Sequence, residues 1–167
     1  MGQGKYNESV QAYDRAIELN PQYAAAWFWK GVALYRLGKY DNAINCLDQV
    51  IELNPQWSGP WGIKGEVAWG VKGDALELLK RYDEALNCFN KSIELNPQYA
   101  NAWHDKGIIL YIKGKYNESI QAFDKATDIN PQYSAAWNGK GDALNALGRT
   151  AEADAAFAKA KELGYSG

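Results

Sequence analysis

Four copies of one short phrase constrain this chain more than any other feature. Asn20-Pro21-Gln22-Tyr23, Asn54-Pro55-Gln56-Trp57, Asn96-Pro97-Gln98-Tyr99 and Asn130-Pro131-Gln132-Tyr133 set their prolines 34, 42 and 34 residues apart. The middle interval is eight longer than its neighbours, so one period carries an insertion of eight residues. Other positions repeat in register. Trp27 recurs as Trp61, Trp103 and Trp137, and Gly31 as Gly65, Gly107 and Gly141. Tyr40 recurs as Tyr82 and Tyr116, and Ala43 as Ala85 and Ala153. Leu47 corresponds to Tyr13, Phe89, Phe123 and Phe157. Units this short bury their apolar faces only against their neighbours, so the chain must fold as a stack.

Each unit offers two apolar-periodic segments, which predicts two antiparallel helices per unit. In residues 24–57, helix A is expected over 25–37 and helix B over 42–53, with Gly38 and Tyr40 at the turn. Helix B should stop at Asn54-Pro55, because the residue before proline is pushed out of the α region. Ser58 suits a cap for the next helix, and Pro60 its first turn. A glycine inside a helix costs about 1 kcal/mol relative to alanine. A close helix crossing explains it: Gly31 should face Ala43, with Trp27 and Leu47 filling the space beside them. All four tryptophans at this position read as core residues.

Trp, Gly, Ala, a large residue and Pro, in this order at a period near 34, resemble the tetratricopeptide repeat (TPR) family. The resemblance covers essentially the whole chain. Two positions depart from the family pattern. Lys30, Lys64, Lys106 and Lys140 stand before the glycine, where Leu is usual, and Leu34, Ala68, Leu110 and Leu144 stand where Tyr is usual. The fold implied is all-α, an α-solenoid (right-handed superhelix) of stacked antiparallel helix pairs with about nine helices. Its units would be 4–23 (helix B alone), 24–57, 58–99 with the insertion at 74–81, 100–133 and a capping repeat at 134–167. The insertion reads either as a tolerated edge extension or as a protruding Leu76/Leu78/Leu79 contact site. Polar, alanine-rich Ala151–Glu162 reads as a solubilising end. The chain opens at the turn of a repeat, as a fragment of a longer array would. Tyr6, Val10 and Tyr13 should then lack their usual cover, so residues 4–20 are the expected contact for a homo-oligomer.

TPR arrays hold peptides or partner proteins on a concave surface lined by A helices. The resemblance therefore implies a partner-binding groove of Phe28, Val32, Tyr35, Arg36, Glu66, Trp69, Asn101, His104, Asp105, Ile108, Tyr111, Asn138 and Asp142. The family's Lys/Asn/Arg clamp for a terminal carboxylate is not expected. Its positions here carry Phe28, Val32, Ile63 and Asn101, with Asp105 where a cation is needed. Phe28, Tyr35, Trp69 and Tyr111 suggest apolar anchoring instead, and Glu66, Asp105 and Asp142 add negative charge. The partner expected is a protein or peptide with apolar anchors and some basic residues. The alternative is that Phe28 and Tyr35 only cover neighbouring repeats. The lysine series reads either as a ladder for an acidic partner or as stems paired with helix-B acids such as Asp14, Asp48 and Asp124. The second reading is favoured because such acids recur.

Composition narrows the rest. Eighteen Lys and Arg against 20 Asp and Glu give net charge −2, which argues against a strong nucleic-acid binder. RNA binding by a helical-repeat mechanism is thus a weaker rival, and a self-assembling scaffold a stronger one. No apolar stretch approaches a membrane span, and the start lacks the apolar core of a secretion signal. Cys46 and Cys88 form no disulfide framework and fit a reducing, cytoplasmic setting as small packing residues. One histidine, His104, cannot complete a metal site with them. No phosphate loop or nucleophile–base pair appears, so neither cofactor nor catalysis is expected.

Overall fold

The computed structural model describes residues 2–53 and 65–166. Among the described residues there are nine helices and no strand. They are α1 (Gly2–Leu19), α2 (Ala24–Arg36), α3 (Tyr40–Leu53), α4 (Gly65–Leu78), α5 (Tyr82–Leu95), α6 (Ala100–Ile112), α7 (Tyr116–Ile129), α8 (Ser134–Ala146) and α9 (Thr150–Glu162). Two compact units divide them, with α1–α5 in Met1–Leu95 and α6–α9 in Asn96–Gly167. The A helices are α2, α4, α6 and α8, and each packs on the B helix that follows it.

Each hairpin turns on a residue with positive φ. Gly38, Gly114 and Gly148 take φ of 74°, 72° and 74°. The amide just after that glycine then reaches back: Lys39 N–H to Leu34 O at 2.9 Å, Lys115 N–H to Leu110 O at 2.9 Å, and Arg149 N–H to Leu144 O at 3.0 Å. This motif satisfies carbonyls that a helix end otherwise leaves unpaired, and glycine enters it without a Cβ penalty. In the hairpin of α4 and α5 the same place is held by Lys80, at φ 58°.

Inside the hairpins, glycine makes room for a large side chain of the facing B helix. A Cβ on Gly107 would lie 2.8 Å from the Phe123 ring, and one on Gly141 2.4 Å from Phe157. At Gly31 the expected partners are present, with Leu47 Cγ at 3.2 Å and the Ala43 carbonyl at 3.4 Å. Leu47, Phe89 and Phe123 are fully buried, each a burial of about 1.5–3 kcal/mol. In the first unit Ala25, Phe28, Leu47, Val50 and Ala68 form one cluster. In the second, Phe123, Ala126 and Ala136 form one cluster, and Ile120, Ala143, Leu144, Ala153 and Ala156 another. Asp154 and Lys161 on α9 are exposed, as a polar end requires.

The connectors between hairpins are built alike. Asn20, Asn96 and Asn130 each accept a bond at Oδ1 from the amide two residues on, at 3.0–3.1 Å. The indole N–H groups of Trp27, Trp103 and Trp137 donate to the carbonyls of Pro21, Pro97 and Pro131 at 2.9, 2.9 and 3.1 Å. These rings are therefore both packing residues and turn latches.

One expectation needs correcting. Residues 74–81 are not the insertion: 74–78 continue α4, and 79–81 form the turn before α5. Three contacts fix the register. A Cβ on Gly73 would meet Phe89 Cε1 at 2.5 Å, as the repeat glycine does elsewhere. Lys72 pairs with Asp48, as Lys30 pairs with Asp14. Lys72 Nζ also stands 5.5 Å over the Trp69 ring, as Lys30 does over Trp27 at 5.3 Å. Trp69, Lys72 and Gly73 are thus the repeat residues, in place of Trp61, Lys64 and Gly65. The eight additional residues precede Glu66, since Trp69 follows Pro55 by 14 positions whereas Trp27 follows Pro21 by six. Asn54, Pro55, Ser58, Pro60, Trp61, Ile63 and Lys64, to which roles were assigned above, lie outside the described residues.

Candidate functional site

The exposed faces of the A helices are where partner contacts were expected, and each unit can be considered separately. In the first unit, Phe28 is only 3% exposed and belongs to the core. It covers its neighbours, as the bland alternative held, and is not a groove residue. Val32 packs against the same cluster. Tyr35 is half-buried against Tyr40, ring centroids 5.7 Å apart, with the Arg36 guanidinium 6.0 Å from its ring. Burial pushes the Tyr35 phenol up, and the neighbouring Asp74 carboxylate pushes it further. Asp74 and Glu77 on α4 are therefore electrostatic neighbours of Tyr35 that the mistaken register concealed.

That register also moves Glu66 and Trp69. Glu66 is buried at the start of α4, and its carbonyl accepts the buried Ser92 hydroxyl at 2.7 Å. Trp69 is the packing tryptophan of its hairpin, so neither residue stands at the groove position assigned to it. The positions those assignments aimed at fall instead on Asp74 and Glu77, each eight residues further along. A signal in the sequence could have found this: Trp27 and Trp103 each precede the hairpin tyrosine by 13 residues, as Trp69 precedes Tyr82.

In the second unit, Asn101, Asp105, Ile108 and Tyr111 follow one another at spacings of three or four along α6, which puts them on one face. Tyr111 is 38% exposed and tilts against Tyr116, centroids 5.5 Å apart. Ile108 packs against the Phe123 cluster. His104 is turned inward, stacked on Tyr133 at 4.9 Å and edge-on to Phe123 at 5.7 Å. Its Nδ1 lies 2.8 Å from Asp105 Oδ1. On α8, Asn138 Nδ2 donates to Asp142 Oδ2 at 3.1 Å, and partial desolvation raises the Asp142 carboxyl from its ordinary value. Asp105 and the exposed Tyr111 thus share one face of α6, and Asp142 stands exposed on α8, which packs against α6.

Lys30 and Lys140 follow the paired reading of the lysine series, and Lys72 joins them in the corrected register. Lys30 reaches Asp14 and Lys140 reaches Asp124, both at 2.6 Å, and Lys72 pairs with Asp48. Lys30, Lys72, Lys106 and Lys140 each lie 5.2–5.5 Å over the hairpin tryptophan. Half-exposed pairs of this kind contribute about 0–1 kcal/mol each, so they orient the stems more than they stabilise the fold. Cys46 and Cys88 are buried and unpaired as disulfides. Among the described residues no group of three His, Cys, Asp or Glu could hold a metal ion, and no helix is long and apolar enough to cross a membrane.

Sequence models of the tetratricopeptide repeat match residues 1–57, 67–99, 88–121, 107–148 and 134–163. The chain belongs to the tetratricopeptide repeat family. The match that begins at residue 67 agrees with the corrected register. No curated protein matches the chain in sequence. Among solved structures, a crystal structure of MamA superposes with TM-score 0.86 at 23% identity, covering 96% of this chain and 89% of that one. MamA from Desulfovibrio magneticus RS-1 gives 0.84 at 23%, covering 96% and 86%. YrrB, described as a TPR protein with an unusual peptide-binding site, gives 0.76 at 20%, covering 96% and 79%. These likenesses establish the all-α TPR fold, of the α-solenoid class. Family and fold are those of a protein-interaction repeat module.

Proposed function

We propose that the chain binds a peptide or partner-protein segment on the exposed faces of its A helices, through aromatic contact and acidic selection. The observation that carries this is the α6–α8 face. It holds the exposed Tyr111 with the half-buried Asp105 on α6, and the exposed Asp142 on α8. A desolvated carboxylate gains most from an incoming cation, so the favoured ligand carries Lys or Arg beside an apolar anchor. Tyr35 with Asp74 offers the same pairing of phenol and carboxylate in the first unit. YrrB, described as having a peptide-binding site, lends the reading general support.

The test is a peptide library screened against the chain, followed by fluorescence polarisation with Asp105→Asn/Asp142→Asn and Tyr111→Ala. The expected result is weaker binding of basic peptides to the charge variant and of all ligands to Tyr111→Ala. Unchanged affinity for every ligand in both variants would refute it.

A second reading, self-association through residues 4–20, has its own support. Tyr6 is exposed on α1, and a crevice of about 420 Å³ between α1 and α2 is lined by Tyr13, Tyr23 and Trp29 among others. Light scattering across a concentration series, with Tyr6→Ser/Trp29→Ser for comparison, tests it. A constant single-chain mass would remove it.

A further inference from the structure

Among the described residues α1 packs on α2 alone, and the side that other B helices turn to their own A helix is uncovered on it. On α3, Ala43, Cys46, Leu47 and Val50 are buried along this side, and on α7 Ser119, Ala122, Phe123 and Ala126. The corresponding residues of α1 are Ser9, Ala12, Tyr13 and Ala16. Ala12 is exposed and the other three are half-buried. The crevice of about 420 Å³ runs beside them, with Tyr13 and Ala16 in one wall and Tyr23, Ala26 and the exposed Trp29 in the other.

Ser9, Ala12 and Ala16 follow one another at spacings of three and four, and their small side chains let a second helix come close. Two pairs of residues, each seven apart, border this stripe. Tyr6 and Tyr13 lie on the side next to α2, and Glu8 and Arg15 on the side away from it. Glu8 and Arg15 are both exposed. Among the described residues neither has an ion-pair partner, whereas Asp14 of the same helix is held by Lys30.

This pattern selects an occupant, because it is complementary to itself in one direction only. Laid antiparallel about a two-fold axis, two α1 helices set Glu8 of each beside Arg15 of the other, Tyr6 beside Tyr13, and Ser9 against Ala12. Laid parallel, the charged border of each helix would meet the tyrosine border of the other, and no charge would be paired. In the antiparallel pair Tyr6 of each copy also reaches the crevice that holds Tyr13 and Trp29 of the other, so ring burial and ion pairing favour the same register. We propose that two copies of this chain pair through α1, antiparallel about a two-fold axis, with Glu8 of each copy against Arg15 of the other. This rests on the self-association reading above and supplies its geometry. One helix pair is small beside the about 800 Å² per partner of a stable interface, so association should be weak and concentration-dependent.

The experiment is sedimentation equilibrium of the whole chain, of Glu8→Arg, of Arg15→Glu, and of an equimolar mixture of the two variants. Each substitution alone turns both symmetry-related attractions into repulsions, and should raise the dissociation constant about tenfold or more. In the mixture a Glu8→Arg chain meets an Arg15→Glu chain with both pairs again of opposite sign, so association should return to about that of the unmodified chain. Recovery in the mixture also shows that both variants are folded. Lys161→Glu, the same charge change on the exposed side of α9, should leave association unaltered. Association that ignores the two substitutions, that is not recovered in the mixture, or that Lys161→Glu weakens equally would overturn the antiparallel pairing and leave the broader self-association reading standing. A single-chain mass at every concentration would overturn both.

Discussion

Replacing Gly73 with alanine sets two effects of known sign against each other. Alanine favours a helix over glycine by about 1 kcal/mol. Its methyl, however, would arrive 2.5 Å from Phe89 Cε1 and 2.8 Å from Cδ1 and Cζ. Phe89 is fully buried, so the ring cannot swing into solvent. Overpacking of this kind costs about 1–3 kcal/mol. The net expectation is a loss of up to about 2 kcal/mol despite the better helix former. Gly31→Ala makes the contrast, because its Cβ meets Leu47 Cγ at 3.2 Å, a contact that a small rotation relieves. It should be neutral or slightly stabilising. The repeat itself suggests the rescue, since Leu47 occupies the place of Phe89. Phe89→Leu alone leaves a partial void and should cost about 1–2 kcal/mol. Combined with Gly73→Ala the void receives the methyl, and a favourable coupling of about 1–2 kcal/mol is expected. Guanidinium denaturation followed by helical circular dichroism reads the midpoints, and amide exchange across α4 and α5 localises the effect. If Gly73→Ala matches or exceeds the parent chain, or if the two changes simply add, the close-approach argument fails.

Lys80→Gly should raise the denaturation midpoint, by up to about 1 kcal/mol, because Lys80 is exposed at φ 58° where the other hairpins have glycine; an unchanged or lower midpoint would contradict this. Trp137→Phe removes the bond to the Pro131 carbonyl and should cost about 1 kcal/mol beyond the lost ring volume, measured as a midpoint shift; a neutral effect would show the latch to be idle. Burial pushes the Cys88 thiol up to about 11 and Cys46 in the same direction. The reactive thiolate is the deprotonated form, so native-state alkylation at about pH 8 should be slow and should rise with pH until the fold opens. Prompt modification of either cysteine in the folded chain would refute this.

The helix pairs, their glycine crossings and the polar last helix were legible in the sequence, because period and residue size determine them directly. The Gly31–Ala43–Leu47 contact could be named from spacing alone. The second repeat was misplaced for an equally specific reason. Trp61-Gly62-Ile63-Lys64-Gly65 and Trp69-Gly70-Val71-Lys72-Gly73 present the same pattern eight residues apart. Counting forward from Pro55 selects the first, and counting back from Tyr82 selects the second. Only the second brings its lysine to Asp48 and its glycine to Phe89. The candidate surface was less legible for a related reason. Phe28 and Tyr35 have similar side chains on one helix, yet Phe28 lies within the cluster around Val50 and Tyr35 packs half-buried on the outside of another, that of Leu34, Ala43 and Cys46. Which aromatic is sheltered depends on the residues of the neighbouring helices, such as Val50 and Ala68 around Phe28, which the pattern along one helix does not record.

The indole bonds to the proline carbonyls have a mechanical consequence. The same ring that fills a hairpin also grips the connector leading into it, at Trp27, Trp103 and Trp137 alike. Tension along the backbone cannot lengthen such a connector without first extracting its ring. Extension should therefore proceed in discrete jumps, one hairpin surrendering at a time, rather than by gradual slackening of the joints.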